Sequence, residues 1–308
     1  MDNLTHSLVG ALLGRMGLKR LTGRAMPTLV LAANLPDIDV FAPLVTGQQG
    51  LVVHRGFTHG VGGLVVLPLV LTALVLAWDR WRPADPPVRP RALLLLAVIG
   101  VASHPLLDYL TGYGTRLLEP LSDRWFYGDT LFIVDVWVWI ALILGFEWSR
   151  GRERAGRDDW HRPAVAVFAA ILCYVALNAA LTARAERAGR DLLTALEIEP
   201  VEVVASPPPI HFWRRRLLWR TAGHHGTGEF DPLAGELRVT RRLDSNRLGD
   251  PRLAGARGRS DVEAFLFWSR LPVVIEQGGR AFLGDQRFLG RRTRGSFLIP
   301  LDSAGPAP

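Results

Sequence analysis

Two uncharged apolar stretches constrain this chain more than anything else in it. Gly60–Trp78 runs for 19 residues without a charge, and Pro163–Ala183 for 21. About twenty such residues cross the hydrocarbon core of a bilayer as a helix, so both are read as transmembrane spans. Ala92–Leu107 is interrupted only by His104, and Thr130–Phe146 only by Asp135; these are read as two further spans. A hydrophobic share of 49% and a mean hydropathy of +0.17 argue against an ordinary soluble protein. Beyond Arg184 no stretch is apolar enough to cross a bilayer.

The net charge of +7 comes almost wholly from arginine, since Lys19 is the only lysine. These residues sit in loops beside apolar spans, which fits membrane topology better than a nucleic-acid footprint, so no nucleic-acid partner is expected. The loop Asp79–Arg91 carries four arginines and Ser149–Arg162 five, whereas Thr111–Asp129 has only Arg116 and Arg124. The positive-inside rule places the first two loops, and the basic segment Arg15–Arg24, in the cytoplasm. Arg184, Arg187 and Arg190 run against that assignment but are outvoted. The lone Cys173, inside a span, leaves neither a disulfide framework nor a thiolate zinc site. Met1–Gly10 has no basic leader and no cleavage site, so no removable signal peptide is expected.

The predicted fold is a polytopic α-helical membrane domain over residues 1–183, with about four transmembrane helices. A short N-terminal helical hairpin, Leu4–Leu13 and Pro27–Leu35, is too short to span and is expected to enter partway, ending at Pro36. Residues 184–308 are expected to form a small extramembrane β-rich domain. Its strand candidates are Leu217–Thr221, Pro272–Ile275, Ala281–Leu283 and Ser296–Leu301, with a frayed tail at Gly305–Pro308.

The ionisable residues gather on one side of this map. His6 begins the first apolar piece, Asp37 and Asp39 follow Pro36, and His54 and His59 precede the first clear span. His104 and Asp108 close the next span. Because the chain reverses between spans, all seven converge on one face, predicted to be the outer one together with the C-terminal domain. His104 and Asp108 are four apart and share a helix face; Asp37 and Asp39 can reach one centre or bridge two. In Thr5-His6-x-x-x-Gly10 and Thr58-His59-x-x-x-Gly63 a threonine can cap a helix, with glycine one turn on permitting close packing.

Imidazole and carboxylate without thiolate suit Zn²⁺, Mn²⁺ or Fe²⁺, and seven candidates exceed one ion's needs, so one or two ions are expected. The ligand candidates are His6, Asp37, Asp39, His59, His104 and Asp108; His54 is a ligand or a general acid/base, working with Asp39. Arg55 binds an anionic substrate group or pairs with an aspartate. Taken singly these residues are ordinary: Asp37 suits a turn, His104 a hydrogen-bonded core, Asp135 a helix start. Jointly, at membrane depth, they mark function. His161 reads as an inert loop residue, and His224-His225 as a surface loop. Trp78, Trp81, Trp125, Trp137, Trp139 and Trp148 flank spans as interfacial anchors.

Leu4-Thr5-His6-Ser7, Asn34-Leu35-Pro36-Asp37-Ile38-Asp39, His54-Arg55-Gly56-Phe57-Thr58-His59 and Ser103-His104-Pro105-Leu106-Leu107-Asp108 together resemble the YdjM/YbcI-type family, known as membrane-bound metal-dependent hydrolases. Thr111-x-Tyr113-Gly114-Thr115, Pro120-Leu121-Ser122-Asp123-Arg124 and Phe132-Ile133-Val134-Asp135 extend the resemblance, and Phe267–Pro272 looks like the family's C-terminal domain. Two positions depart from it: Gly60 stands where serine is expected, and Val136 where proline is. The resemblance implies a bacterial inner-membrane location and hydrolysis by metal-activated water. By analogy with the helical zinc phospholipase C and P1-nuclease group, it implies a phosphoester or lipid-linked substrate. The competing classes are a transporter or proton relay using the same His/Asp set, and a non-catalytic membrane scaffold. Polar groups gathered at one end, and no long inverted repeat, weigh against transport.

Overall fold

A computed structural model describes residues 1–47, 49–232, 234–289 and 297–302, excepting the side chains of 241–243. The expected tail Gly305–Pro308 lies outside the described residues. The chain divides into two compact units: Met1–Ala42 with His54–Ala179, and Pro43–Val53 with Ala180–Pro308.

In the first unit α1 (Asn3–Arg15) is capped by Asp2 rather than Thr5; the Asp2 carboxylate accepts from the Thr5 amide at 3.0 Å and the Thr5 hydroxyl at 2.6 Å. Carboxylate outcompetes hydroxyl as an N-cap acceptor because it also meets the positive end of the helix dipole. α2 (Ala25–Ala32) stops four residues before Pro36, and a 3-10 segment, Leu35–Phe41, restarts the chain with that proline in its first turn. α3 (Ala42–Thr46) and α4 (Gly50–Val53) are short and belong to the second unit from Pro43 on. A 3-10 turn, Phe57–His59, then leads into α5 (Val61–Trp81). α6 (Pro90–Tyr109) runs unbroken through Pro105. α7 (Val136–Arg154) starts on an Asp135 cap, and α8 (Arg162–Ala195) is 34 residues long.

α2 lies close to both α1 and α6. A methyl on Gly10 would sit 2.7 Å from the Leu29 carbonyl oxygen, and one on Gly100 would meet the Ala32 methyl at 2.5 Å. The sequence reading of Gly10 as a close-packing position is therefore met. Gly63 differs, because its crowding partner is the Thr58 carbonyl of the preceding turn. Leu12, Leu29, Leu96 and Leu142 fill one core, and Ala32, Leu71, Leu93, Ala97 and Val101 another.

Among the described residues three helices are long and apolar enough to cross a membrane: α5, α6 and α8. A fourth arises if α2 and Leu35–Thr46, bent by 45°, count as one broken span. The Thr130–Phe146 stretch is not one helix. Its first residues, 130–135, are non-helical, and α7 reaches on into Glu147, Arg150, Arg152, Glu153 and Arg154, so it falls outside this class. α5 exposes Val65, Leu69, Val70 and Leu74, a face that suits lipid.

In the second unit β1 (Glu202–Ser206), β2 (Arg215–Arg220), β3 (His224–Asp231) and β4 (Glu236–Ser245) form an antiparallel sheet in chain order. α9 (Pro251–Ala256) and α10 (Ser260–Trp268) lead to a second sheet of β5 (Pro272–Gln277), β6 (Arg280–Asp285) and β7 (Leu298–Pro300). Three expected runs fall on β2, β5 and β6; of the fourth, Leu298–Pro300 is a strand, while Ser296 is not described. His224-His225 open β3 instead of forming a loop. Leu217, Trp219 and Phe230 pack on Ala185 and Leu193 of α8, and Val204 and Leu218 on the opposite face meet Leu271.

Asp285, fully buried, binds the second sheet together. It accepts from the Ser269 hydroxyl at 2.6 Å, the Leu271 amide at 3.1 Å and the Arg287 guanidinium at 2.9 Å. Burial alone would raise its pKa, but Arg287 and these donors outweigh it and hold the carboxyl below its ordinary range.

Two outcomes follow for the purified full chain in detergent. Gly10→Ala should lower the unfolding temperature, at a cost of about 1–3 kcal/mol for overpacking, whereas Gly151→Ala, which meets nothing within 4 Å, should not. Asp285→Ala should raise amide exchange in β5 and β6 at neutral pH, at a cost of about 3–5 kcal/mol. Because the folded carboxyl titrates below the unfolded one, its contribution is present above the ordinary carboxylate range and fades as pH falls beneath it. The variant should therefore lose the acid limb of that dependence.

Candidate metal centre

The end of α6, the start of α5 and the 3-10 segment after α2 deliver their ionisable side chains to one place. His59 Nε2 lies 3.1 Å from His104 Nε2, 3.2 Å from an Asp108 oxygen and 3.6 Å from an Asp37 oxygen. His104 Nε2 lies 3.3 Å from the same Asp37 oxygen and 3.6 Å from the same Asp108 oxygen. Four donors tetrahedrally placed about 2 Å from one ion stand about 3.3 Å apart, so these separations suit a shared metal. His59, His104 and Asp108 are fully buried, and Asp37 is partly exposed.

The far side of each imidazole fixes its tautomer. His104 Nδ1 is 2.7 Å from the Ala33 carbonyl, which can only accept, so Nδ1 carries the proton and Nε2 the lone pair. His59 Nδ1 faces an Asp39 oxygen at 3.2 Å, with the same consequence. Two lone pairs then confront each other at 3.1 Å beside two carboxylates, an arrangement that a cation between them relieves. The buried Asp108 Oδ2 makes no hydrogen bond, as expected of an atom reserved for a ligand. On this donor set the residues fit a divalent ion, and Asp37, His59, His104 and Asp108 could hold it.

Asp37 also belongs to a second group with Asp39 and His54, whose ligand atoms lie within 4.8 Å of one another. Asp39 is heavily engaged already. Its oxygens accept from His54 Nδ1 at 2.8 Å, the Arg55 amide at 2.9 Å and the Thr58 hydroxyl at 2.8 Å. Thr58 is therefore a support for Asp39 and not a helix cap; the cap residue of α5 is Gly60. His54 is the most open of the histidines in the cluster, its side chain 25% exposed.

His6 stands outside both groups. Its ring stacks on His104 at 3.7 Å, and its Nε2 is 3.5 Å from Asp108. The Met1 amino group contacts Asp108 as well. Arg55 is buried, with Nη2 3.0 Å from Asp108 and Nη1 3.3 Å from the Thr111 hydroxyl and the Gly114 carbonyl. Its guanidinium also lies over Tyr113, 4.6 Å from the ring centroid. Burial pulls its pKa down to about 10, against Tyr113, Asp37 and Asp39, and it stays cationic at neutral pH. Of its two sequence readings, pairing with an aspartate is the one this geometry matches.

Asp135 sits apart as the cap of α7, accepting from the Trp137 and Val138 amides and the Tyr174 hydroxyl. Gly60 has no room for the expected serine, since a Cβ there would lie 2.4 Å from the Glu119 carbonyl oxygen. Residues the sequence did not single out for the centre are Thr111, Tyr113 and the Ala33 carbonyl. The nearest signal was the Thr111-x-Tyr113-Gly114 motif, which gave no hint that these groups hold Arg55.

A family model described as YdjM inner membrane protein matches residues 1–185. It takes in every residue of the centre but stops short of Phe267–Pro272, so the expected family C-terminal domain is not part of the match. The inner membrane protein YbcI of Escherichia coli (strain K12) is 31% identical over 176 residues, 48% of this chain and 98% of the relative. The uncharacterized protein YfhP of Bacillus subtilis (strain 168) is 27% identical over 149 residues, 46% of this chain. The chain spans only 44% of that relative's length. No solved structure matches the chain. Family match, apolar helices and buried His/Asp cluster agree: the chain belongs to the YdjM inner membrane protein family.

Proposed function

We propose that this chain is a multi-pass inner-membrane hydrolase that works through a metal-activated water on a phosphoester or lipid-linked substrate. The observation that supports it most is the pair of lone-pair-bearing Nε2 atoms, 3.1 Å apart between the carboxylates of Asp37 and Asp108. Asp37, His59, His104 and Asp108 hold one divalent ion, with Zn²⁺ favoured by the donor set and Mn²⁺ or Fe²⁺ as alternatives. Asp37 is shared with Asp39 and His54, which supports a second ion in the same centre. A bound ion supplies Lewis acidity and lowers the pKa of a coordinated water toward ~7.

The chain's own residues divide the remaining work. Asp39 holds His54 through Nδ1, leaving Nε2 to take a proton from water or return one to a leaving group. Arg55 is a positioning residue that keeps Asp108 oriented, and His6 packs behind His104. The loop arginines support an arrangement in which α7 is a fourth span, the N-terminal hairpin enters partway, and the centre and C-terminal unit face outward.

Elemental analysis of detergent-purified protein should find stoichiometric metal, lost in His59→Ala and Asp108→Ala. His54→Gln should keep the first ion but lower phosphodiester turnover by roughly 10²- to 10⁴-fold, the usual worth of a general acid/base. Wild type without stoichiometric metal, and ligand variants no different from it, would sink the proposal.

A further inference from the structure

The second unit carries a cavity unrelated to the metal centre. It measures about 490 Å³ and is bounded by Arg216, His225 and Thr227 of β2 and β3, Glu276 of β5, and Gln286 and Phe288 beyond β6. Antiparallel register puts Arg216, Leu218, Thr227 and Glu229 on one face of the first sheet, the face that Leu218 turns toward Leu271. A volume of this order suits a small metabolite.

Its polar lining is unbalanced. Arg216 is half-buried, and among the described residues no carboxylate comes within 4.0 Å of it. Its guanidinium reaches only the Arg287 carbonyl at 3.4 Å and the Gln286 carbonyl at 3.5 Å. Glu229, its cross-strand neighbour, is exposed and favours the Arg216 charge only through space, without a direct ion pair within 4.0 Å. The one acid in the lining, Glu276, is committed to Arg247 at 3.0 Å. Gln286 is 2% exposed; its Nε2 donates to the Gly226 carbonyl at 2.6 Å, while its Oε1 accepts nothing. A part-desolvated guanidinium with no direct ion pair, beside a buried amide with spare capacity, is costly unless a ligand completes it.

We propose that this cavity binds a small molecule through an oxyanion group, phosphate or carboxylate, seated on Arg216 with Gln286 and Thr227 beside it. A polar proton of the ligand meets Gln286 Oε1, so a hydroxylated or protonated oxyanion is favoured over a bare one.

The test is calorimetric titration of the full chain in detergent, after chelator treatment so that the metal centre cannot capture the anion. Inorganic phosphate and acetate are titrated in separate arms, and the tighter one names the class. Saturable binding should weaken roughly ten- to hundredfold in Arg216→Gln, the loss of one charge-assisted hydrogen bond. Gln286→Glu keeps the side-chain size but places a carboxylate in the cavity, and should abolish binding even if Arg216→Gln does not fold. His59→Ala should bind as wild type does. The proposal is overturned if neither anion binds, if Gln286→Glu binds as wild type does, or if binding is lost in His59→Ala.

Discussion

The centre of the helical unit is arranged around the cost of burying the Asp108 carboxyl where no water reaches it. A carboxylate taken out of water costs several kcal/mol unless charges and donors replace its hydration. Arg55 supplies one charge, and Arg55 is in turn held by Thr111, Gly114 and the Tyr113 ring. The other Asp108 oxygen is left to His59 and His104. One oxygen is thus satisfied by the fold and the other kept for what the site binds. That division explains why a buried arginine stands among histidines without being free to meet a substrate.

The same logic makes Asp39 a hub. Four groups from a six-residue stretch, His54, the Arg55 amide, Thr58 and His59, point at its two oxygens. Asp39 thereby sets both the tautomer of a proposed ligand and the orientation of a proposed acid/base. The backbone requires close packing to hold this network. Gly10 and Gly100 bring α1 and α6 against α2, and the Ala33 carbonyl at the end of α2 is the group that fixes His104. A methyl group's displacement of α2 would move that carbonyl, and with it the direction of a lone pair.

Much of this was legible before any coordinates. Nineteen and twenty-one uncharged residues can only be buried in lipid or protein, and chain reversal between spans then puts His59 and Asp108 together. The i, i+4 spacing of His104 and Asp108 needed only helical geometry. Other features were not legible, for identifiable reasons. Thr5 and Asp2 both compete to cap α1, and spacing does not say that carboxylate wins. Thr130–Phe146 reads as apolar throughout, but Asp135 is a strong cap that starts the helix late. β3, with the sequence HHGTGEFD, has Phe230 as its one large apolar residue, too few to show a period of two. The crowding at Gly60 comes from the Glu119 backbone, 59 positions away, so no local pattern could have shown it.

The extent of the family match separates two questions that the full chain runs together. Every residue placed in the metal centre, from His6 to Asp108, lies within residues 1–185, and none comes from the β sheets. YbcI matches over 98% of its length with only 48% of this chain, so a family member can do without a segment of this size. The candidate centre is therefore assembled without the β sheets, and the second unit has a core of its own: Leu217, Trp219 and Phe230 against Ala185 and Leu193. Under the proposal above, the second unit binds a ligand of its own. Arg216, which lines its cavity without a direct ion pair, is the feature that gives that proposal chemical content.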